Sequence, residues 1–222
     1  DVYKRQIPLH TTDGIYWTAE LELEVPQEGM TINYSYQIEQ NGIVIRKEWD
    51  SFSRSIFLSG SSRKIYRIND CWKNIPEQLY LYSSAFTEAL LAHPEKEDIP
   101  QRYKKGLVIK AYAPRINKDY CLAICGNQKS LGHWDPEKAV LMSDTNFPEW
   151  QIELDASKLK YPLEYKFILY NKQEKKADCW EKNPNRYLAD PELKTNETLV
   201  ISDRYVYFDI PAWKGAGIAI PV

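Results

Sequence analysis

The feature that most constrains this chain is a recurring alternation of apolar and polar residues. Ala19, Leu21, Leu23 and Val25 are interleaved with Glu20, Glu22 and Glu24, and a period of two puts the two sets on opposite faces of a strand, one dry and one wet. The same period runs through Ile32, Tyr34, Tyr36 and Ile38, through Leu107, Ile109 and Ala111, through Trp150, Ile152 and Leu154, through Leu163, Tyr165, Phe167 and Leu169, and through Val206, Phe208 and Ile210. Short strands of this kind, bounded by clusters of Asn, Gly, Pro and Asp, predict an all-β chain built of antiparallel β-sandwiches. One segment argues for a helix: Ser84 can cap a turn or two over 85–92, which Pro94 must end. The charged stretch 93–105, with Pro94 and Pro100, reads as a linker. A chain of 222 residues, 43% of them apolar, can fill two cores of roughly 100 residues each. The expected division is therefore a first unit over 1–69, a linker with the short helix over 70–104, a second unit over 105–211, and the start of something different at 212–222.

Composition narrows the partners. The formal net charge is −2, which offers no basic footprint for nucleic acid or for an anionic membrane. No run approaches the length of a membrane-spanning helix and the first residues lack a signal-peptide pattern, so a cytoplasmic location is expected. Cys71, Cys121, Cys125 and Cys179 fall at no zinc-ligand spacing, and the three histidines are scattered, so neither a metal site nor a cofactor is expected. Cys121 and Cys125 share a strand face but stand roughly 13 Å apart, too far for a disulfide; free buried thiols are the expectation. Catalysis within these residues is not expected either. Glycoside cleavage needs two positioned carboxylates and nucleophilic hydrolysis an activated Ser or Cys beside a base, and no segment presents such a set.

An internal repetition organises the rest. Trp150 leads a strand and is followed by Glu164-Tyr165-Lys166-Phe167, then Cys179-Trp180-Glu181, then Asn185-Arg186. Earlier, Trp17 leads a strand and is followed by Asn33-Tyr34-Ser35-Tyr36, then Glu48-Trp49-Asp50, then Ser53-Arg54. Order and spacing agree. The later copy has about 40 residues ahead of its Trp, the earlier only sixteen, so the first unit is expected to lack its N-terminal strands, and residues 1–6 match nothing in the second.

The segments Leu131-Gly132-His133-Trp134-Asp135, Pro148-Glu149-Trp150, Glu164-Tyr165-Lys166-Phe167 and Trp180-Glu181-Lys182-Asn183-Pro184-Asn185-Arg186, in that order, resemble the family-20 carbohydrate-binding modules, the starch-binding domains. The resemblance covers about 105–211 and implies two immunoglobulin-like sandwiches, the first truncated. A pyranose offers an apolar face of C–H groups and a rim of hydroxyls, so flat aromatics and fixed polar groups are the residues such a ligand needs. By the resemblance, Trp134 and Trp180 are the stacking platforms and Lys166, Glu181 and Asn185 the polar contacts. Strand phase independently turns Lys166 outward, since Tyr165 and Phe167 point to the core. A second site would involve Trp150 and Tyr120, although Trp150 also opens an alternating strand and reads equally as core. Arg186 reads as the partner of a carboxylate. In the first unit Trp49 is the remaining platform, with Ser35, Asp50 and Ser53 in place of Lys, Glu and Asn, so weak or absent binding is expected there.

The resemblance implies α-glucan partners: starch, glycogen, maltodextrin and cyclodextrin. Residues 213–222 resemble the opening of the amylomaltase catalytic barrel of glycoside hydrolase family 77, and tandem starch-binding modules ahead of that barrel are the arrangement of disproportionating 4-α-glucanotransferases. A catalytic domain in cis is therefore expected, with the present residues non-catalytic. A pair of sandwiches serving protein contact or oligomerisation is the alternative.

Overall fold

The computed structural model describes residues 6–48, 54–60, 63–73, 97–114, 116, 118–203 and 206–208. The expected helix over 85–92, Trp49 and 212–222 lie outside these described residues. Among the described residues five strands precede the expected linker: β1 (Met30–Tyr34), β2 (Gln37–Gln40), β3 (Ile43–Lys47), β4 (Arg54–Leu58) and β5 (Ile65–Asn69). Eight follow it: β6 (Lys105–Tyr112), β7 (Tyr120–Gly126), β8 (Val140–Leu141), β9 (Glu149–Asp155), β10 (Leu163–Asn171), β11 (Lys176–Trp180), β12 (Arg186–Leu188) and β13 (Glu197–Ser202). Strand is the main regular structure among the described residues, as the alternation predicts.

The second half closes a β-sandwich. One sheet runs β11-β10-β7-β8, with β12 also paired to β10; the other runs β5-β13-β6-β9. Alternate residues of both sheets meet between them: Leu107 and Ile109 from β6, Leu122 and Ile124 from β7, Trp150 from β9, Phe167 and Leu169 from β10, and Leu199 from β13. Each is essentially excluded from water, and such a side chain contributes about 1.5–3 kcal/mol over an exposed one. Cys121 and Cys125 are buried free thiols in β7, whereas Cys71 is exposed.

Two pairings depart from the antiparallel rule. β13 runs parallel to β6 on one side and parallel to β5 on the other. β5 belongs to residues 1–69 by sequence, yet its hydrogen bonds are made within the sheet of residues 105–211. The outer face of that sheet is covered by the first half as well: Val108 and Val200 cluster with Ile56 and Leu58 of β4. Beside them Lys110 reaches across, its Nζ donating to the Ser55 carbonyl at 2.8 Å and to Glu149 at 3.0 Å. β6 is thus buried on both faces, unlike a strand with one wet face.

The first half is less complete. β1 pairs with β4 and β2 with β3, the latter through Asn41-Gly42, both at positive φ (53° and 77°) as a two-residue hairpin turn requires. Residues 17–25, expected as a strand from their alternation, form none beyond an isolated bridge from Thr18 to His10. The physical reason is that alternation supplies a face and not a partner. The equivalent strand β9 is held by seven residue pairs to β6, and among the described residues nothing plays that part for 17–25.

Candidate functional site

Trp134 is presented by a tight loop that follows β7. Leu131 is fully buried and anchors a 3-10 segment over Lys129–Trp134. The backbone then passes through three consecutive left-handed residues, Gly132 (φ 79°), His133 (52°) and Trp134 (61°). Gly132 is required at its position, because a Cβ there would stand 2.7 Å from the Lys138 carbonyl in addition to the left-handed φ. The turn is pinned by the amides of Leu131 and His133 donating to the Gln128 carbonyl at 2.8 and 2.9 Å and by Asp135 N–H on the Gly132 carbonyl at 2.9 Å. The Cys125 thiol, in the adjoining strand, donates to the Asp135 carbonyl at 3.4 Å.

Trp180 ends β11, directly across from Ile168 of β10. It lies over a small apolar floor on the outer face of the sheet, made by Ala123, Cys125 and Ile168 with Ala139 alongside. Trp134 and Trp180 meet there with ring centroids 6.1 Å apart and planes tilted by 44°. Both residues are half-buried, and Trp180 rests on that floor. Lys166 shares this face, two residues from Ile168 and opposite Cys125, and is half-exposed. Asn185 is exposed in the turn before β12.

The other named residues are placed differently. Glu181 follows Trp180, and by the strand's two-residue period its side chain goes to the opposite, buried side. Its carboxylate accepts the Phe167 amide at 2.8 Å, the Arg186 Nε and Nη2 at 3.2 and 2.9 Å, and the Asn183 side-chain amide at 3.0 Å. With its side chain fully buried, Glu181 belongs to the frame behind Trp180 and does not face solvent, in contrast to the polar contact that the resemblance implies. Arg186 also binds Asp203 at 3.1 Å, which in turn accepts the Tyr165 hydroxyl at 2.6 Å. Burial pushes the Asp203 carboxyl above the usual carboxylate range, against the opposing pull of Arg186 and Tyr165. Trp150 is a core residue: 1% exposed, its Nε1–H donating to the Ala113 carbonyl at 3.2 Å, its ring edge-on to Phe147. Tyr120 is half-buried at the start of β7 and packs against the same core, so the two do not form an exposed second platform.

The frame behind Trp180 is duplicated in the first half. Arg54 binds Glu48 through Nη2 and Nε at 2.5 and 3.2 Å and Asp70 through Nη1 at 2.9 Å. Asp70 accepts the Tyr34 hydroxyl at 2.8 Å, and Glu48 accepts the Tyr36 amide at 3.3 Å. Arg54 lies over the Tyr36 ring as Arg186 lies over Phe167. Position by position, Glu48, Arg54, Asp70, Tyr34 and Tyr36 stand for Glu181, Arg186, Asp203, Tyr165 and Phe167. This hydrogen-bond register differs from the one read by aligning tryptophans: Glu48, not Asp50, corresponds to Glu181. Lys47, paired with Gln37, therefore occupies the place of Trp180, paired with Ile168.

Chemically, the second half offers two half-buried indoles tilted by 44°, a cation and an amide at the margin, and a buried charge cluster paired within itself. Such a surface can hold a flat, hydroxylated ligand. Among solved structures, the chain is similar to the glycoside hydrolase family 15 glucoamylase from Hypocrea jecorina (22% identity, 46% of this chain and 17% of that one, TM-score 0.38). It is also similar to the family 20 carbohydrate-binding module of the maltotetraose-forming amylase from Pseudomonas saccharophila (19% identity, 44% and 99%, TM-score 0.36). A third similarity is to the γ-cyclodextrin glucanotransferase of an alkalophilic Bacillus clarkii (21% identity, 45% and 15%, TM-score 0.33). No curated protein matches the chain. The chain thus spans only 17% of the glucoamylase's length. The sequence itself is more direct: residues 108–200, which carry Trp134, Lys166, Trp180 and Asn185, match the family model of the starch binding domain, family 20 of the carbohydrate-binding modules.

Proposed function

We propose that this chain holds α-1,4-glucan of the starch type on the Trp134–Trp180 surface, with Lys166 and Asn185 contacting hydroxyls at its edge, and that it does so without cleaving the polymer. The observation that carries the reading is the pair of half-exposed indoles, 6.1 Å apart and tilted by 44°. Two coplanar rings would suit a straight, ribbon-like glucan; a tilt suits successive glucose units of a coiled one, each laying its C–H face on one ring. Starch, glycogen, maltodextrin and cyclodextrin share that curvature, and all are ligands on this reading. The affinity for one site should be modest, with Kd in the roughly micromolar to millimolar range, because much of the sugar stays hydrated.

The duplicated Glu–Arg–Asp frame supports a finer proposal, a tandem of two such modules, of which the second carries the sugar. On this reading the pair is tethered in cis to a cytoplasmic 4-α-glucanotransferase and raises the concentration of polymer near its active site by linkage alone. The test is titration of the chain with β-cyclodextrin by calorimetry, with Trp180→Ala beside it. A stacking platform at the centre of a small site is worth about 2 kcal/mol, so the variant should bind roughly 30-fold more weakly. Retention on amylose resin with elution by maltose should follow the same order. Wild-type affinity in Trp180→Ala, with the fold intact by circular dichroism, would remove the platform role and leave protein contact as the reading to pursue.

A further inference from the structure

Trp180 stands at one end of a sheet face whose other end carries a further aromatic. β7 takes one edge of β10, and β11 and β12 pair one after the other with the opposite edge, Trp180 facing Ile168 and Tyr187 facing Glu164. Partners directly across a ladder share a face, and Glu164 and Ile168 are an even number of residues apart, so both aromatics belong to the outer face of the sheet. The intervening stretch of β10 sets them roughly 13 Å apart along the strand. The flanking residues give Tyr187 its direction. Leu188 packs against the core and the Arg186 guanidinium lies over the Phe167 ring, both on the inner side, and Tyr187 between them is 65% exposed.

The spacing between the two aromatics is built in. Glu181 follows Trp180, Arg186 precedes Tyr187, and these two charged groups are bound to each other at 2.9 Å behind the face. That buried pair closes the turn over 181–186 and holds Trp180 and Tyr187 in place before any ligand arrives, which lowers the ordering cost of binding. Lys166, half-exposed, lies on β10 midway between Ile168 and Glu164, and Asn185 is exposed in the same turn. Packing does not call for an aromatic at 187. β12 contributes Leu188 to the core and Arg186 to the ion-paired frame, whereas an outward ring in a short strand gains little from burial. Indole, ammonium, amide and phenol along one face alternate flat apolar groups with hydrogen-bonding ones, as a run of pyranose rings requires.

We propose that Tyr187 is a further stacking contact, which extends the Trp134–Trp180 surface along β10 and makes the site favour longer α-1,4-glucans. The separation of Tyr187 from Trp180 exceeds the reach of a single pyranose, so the phenol ring meets sugar units beyond those on the indoles. Its contribution therefore appears only with oligosaccharides long enough to span both. The proposal rests on the reading that Trp134 and Trp180 hold α-glucan.

The experiment is calorimetric titration of the full chain and of Tyr187→Ala and Tyr187→Phe with maltotriose and with maltoheptaose. In Tyr187→Ala the affinity for maltoheptaose should fall roughly fivefold or more, while that for maltotriose stays within about twofold of wild type, which also shows that the indole site is still folded. Tyr187→Phe keeps the ring and should bind both sugars as wild type does. Wild-type binding of maltoheptaose by Tyr187→Ala, an equal loss for both sugars, or a loss in Tyr187→Phe as large as that in Tyr187→Ala would each overturn the stacking role of Tyr187 and leave the indole site standing. Failure of the unsubstituted chain to bind either sugar would instead remove the α-glucan reading itself, and the extension with it.

Discussion

Changing Glu181 to Gln separates a frame residue from a sugar contact. The carboxylate takes one hydrogen bond from the Phe167 amide, two from Arg186 and one from Asn183, with its side chain sealed from water. Gln can keep the Phe167 bond through its carbonyl, but its NH2 faces the Arg186 guanidinium donor to donor, and Arg186 is left with Asp203 as its only buried counter-charge in this cluster. Removing one member of a buried ion pair costs about 3–5 kcal/mol, and the retained amide bond places Glu181→Gln near the lower end. For a chain of this size each kcal/mol moves Tm by roughly 2–4 °C, so thermal unfolding followed by circular dichroism should fall by roughly 6–12 °C. Well below that temperature, β-cyclodextrin affinity by calorimetry should stay within about twofold of wild type. A variant with wild-type Tm and roughly tenfold weaker binding would refute the reasoning and return Glu181 to the sugar.

Other residues give contrasting outcomes. Gly132→Ala introduces a left-handed alanine pressed on the Lys138 carbonyl, a local strain of about 1–3 kcal/mol; it should displace Trp134 and weaken β-cyclodextrin binding while far-UV circular dichroism is unchanged. Trp150→Ala empties the core, with an expected loss of about 3–5 kcal/mol in urea unfolding and no change in glucan affinity for the folded protein. Lys110→Met takes the cation from the buried Glu149 carboxylate and should cost about 3–5 kcal/mol, most of it regained in Lys110→Met combined with Glu149→Leu, measured by the same unfolding assay.

The strands of the second half were legible because burial there follows the two-residue period: Leu163, Tyr165, Phe167 and Leu169 face inward and Lys166 outward, as their alternation indicates. Trp134 and Trp180 were singled out by the family resemblance and not by strand period; Trp134 stands in a loop and Trp180 at the end of β11. The burial of Glu181 was not read although the signal was present: a residue next to an outward Trp in a strand must point inward, and an inward carboxylate needs a cation, which Arg186 supplies. Trp150 gave no such clue, since the same alternation serves a core or a surface tryptophan until its neighbours are known. The repeat was visible, but its register was drawn on the conspicuous Trp49, whereas the hydrogen bonds align Glu48 with Glu181; tertiary pairing of carboxylates leaves no mark in residue spacing. The role of β5 was hidden for a related reason. Its sequence says strand, and only the edge left open by β13 says which sheet.

That edge has a consequence for how the molecule is made. Among the described residues β13 is the last strand in chain order, and it lies between β5 and β6, so the sheet holds an empty slot until residues 197–202 have left the ribosome. Neither half can seal its share of the sheet during synthesis. Completion of both waits on one late insertion, which ties the two halves into a single cooperative event rather than two beads folding in turn.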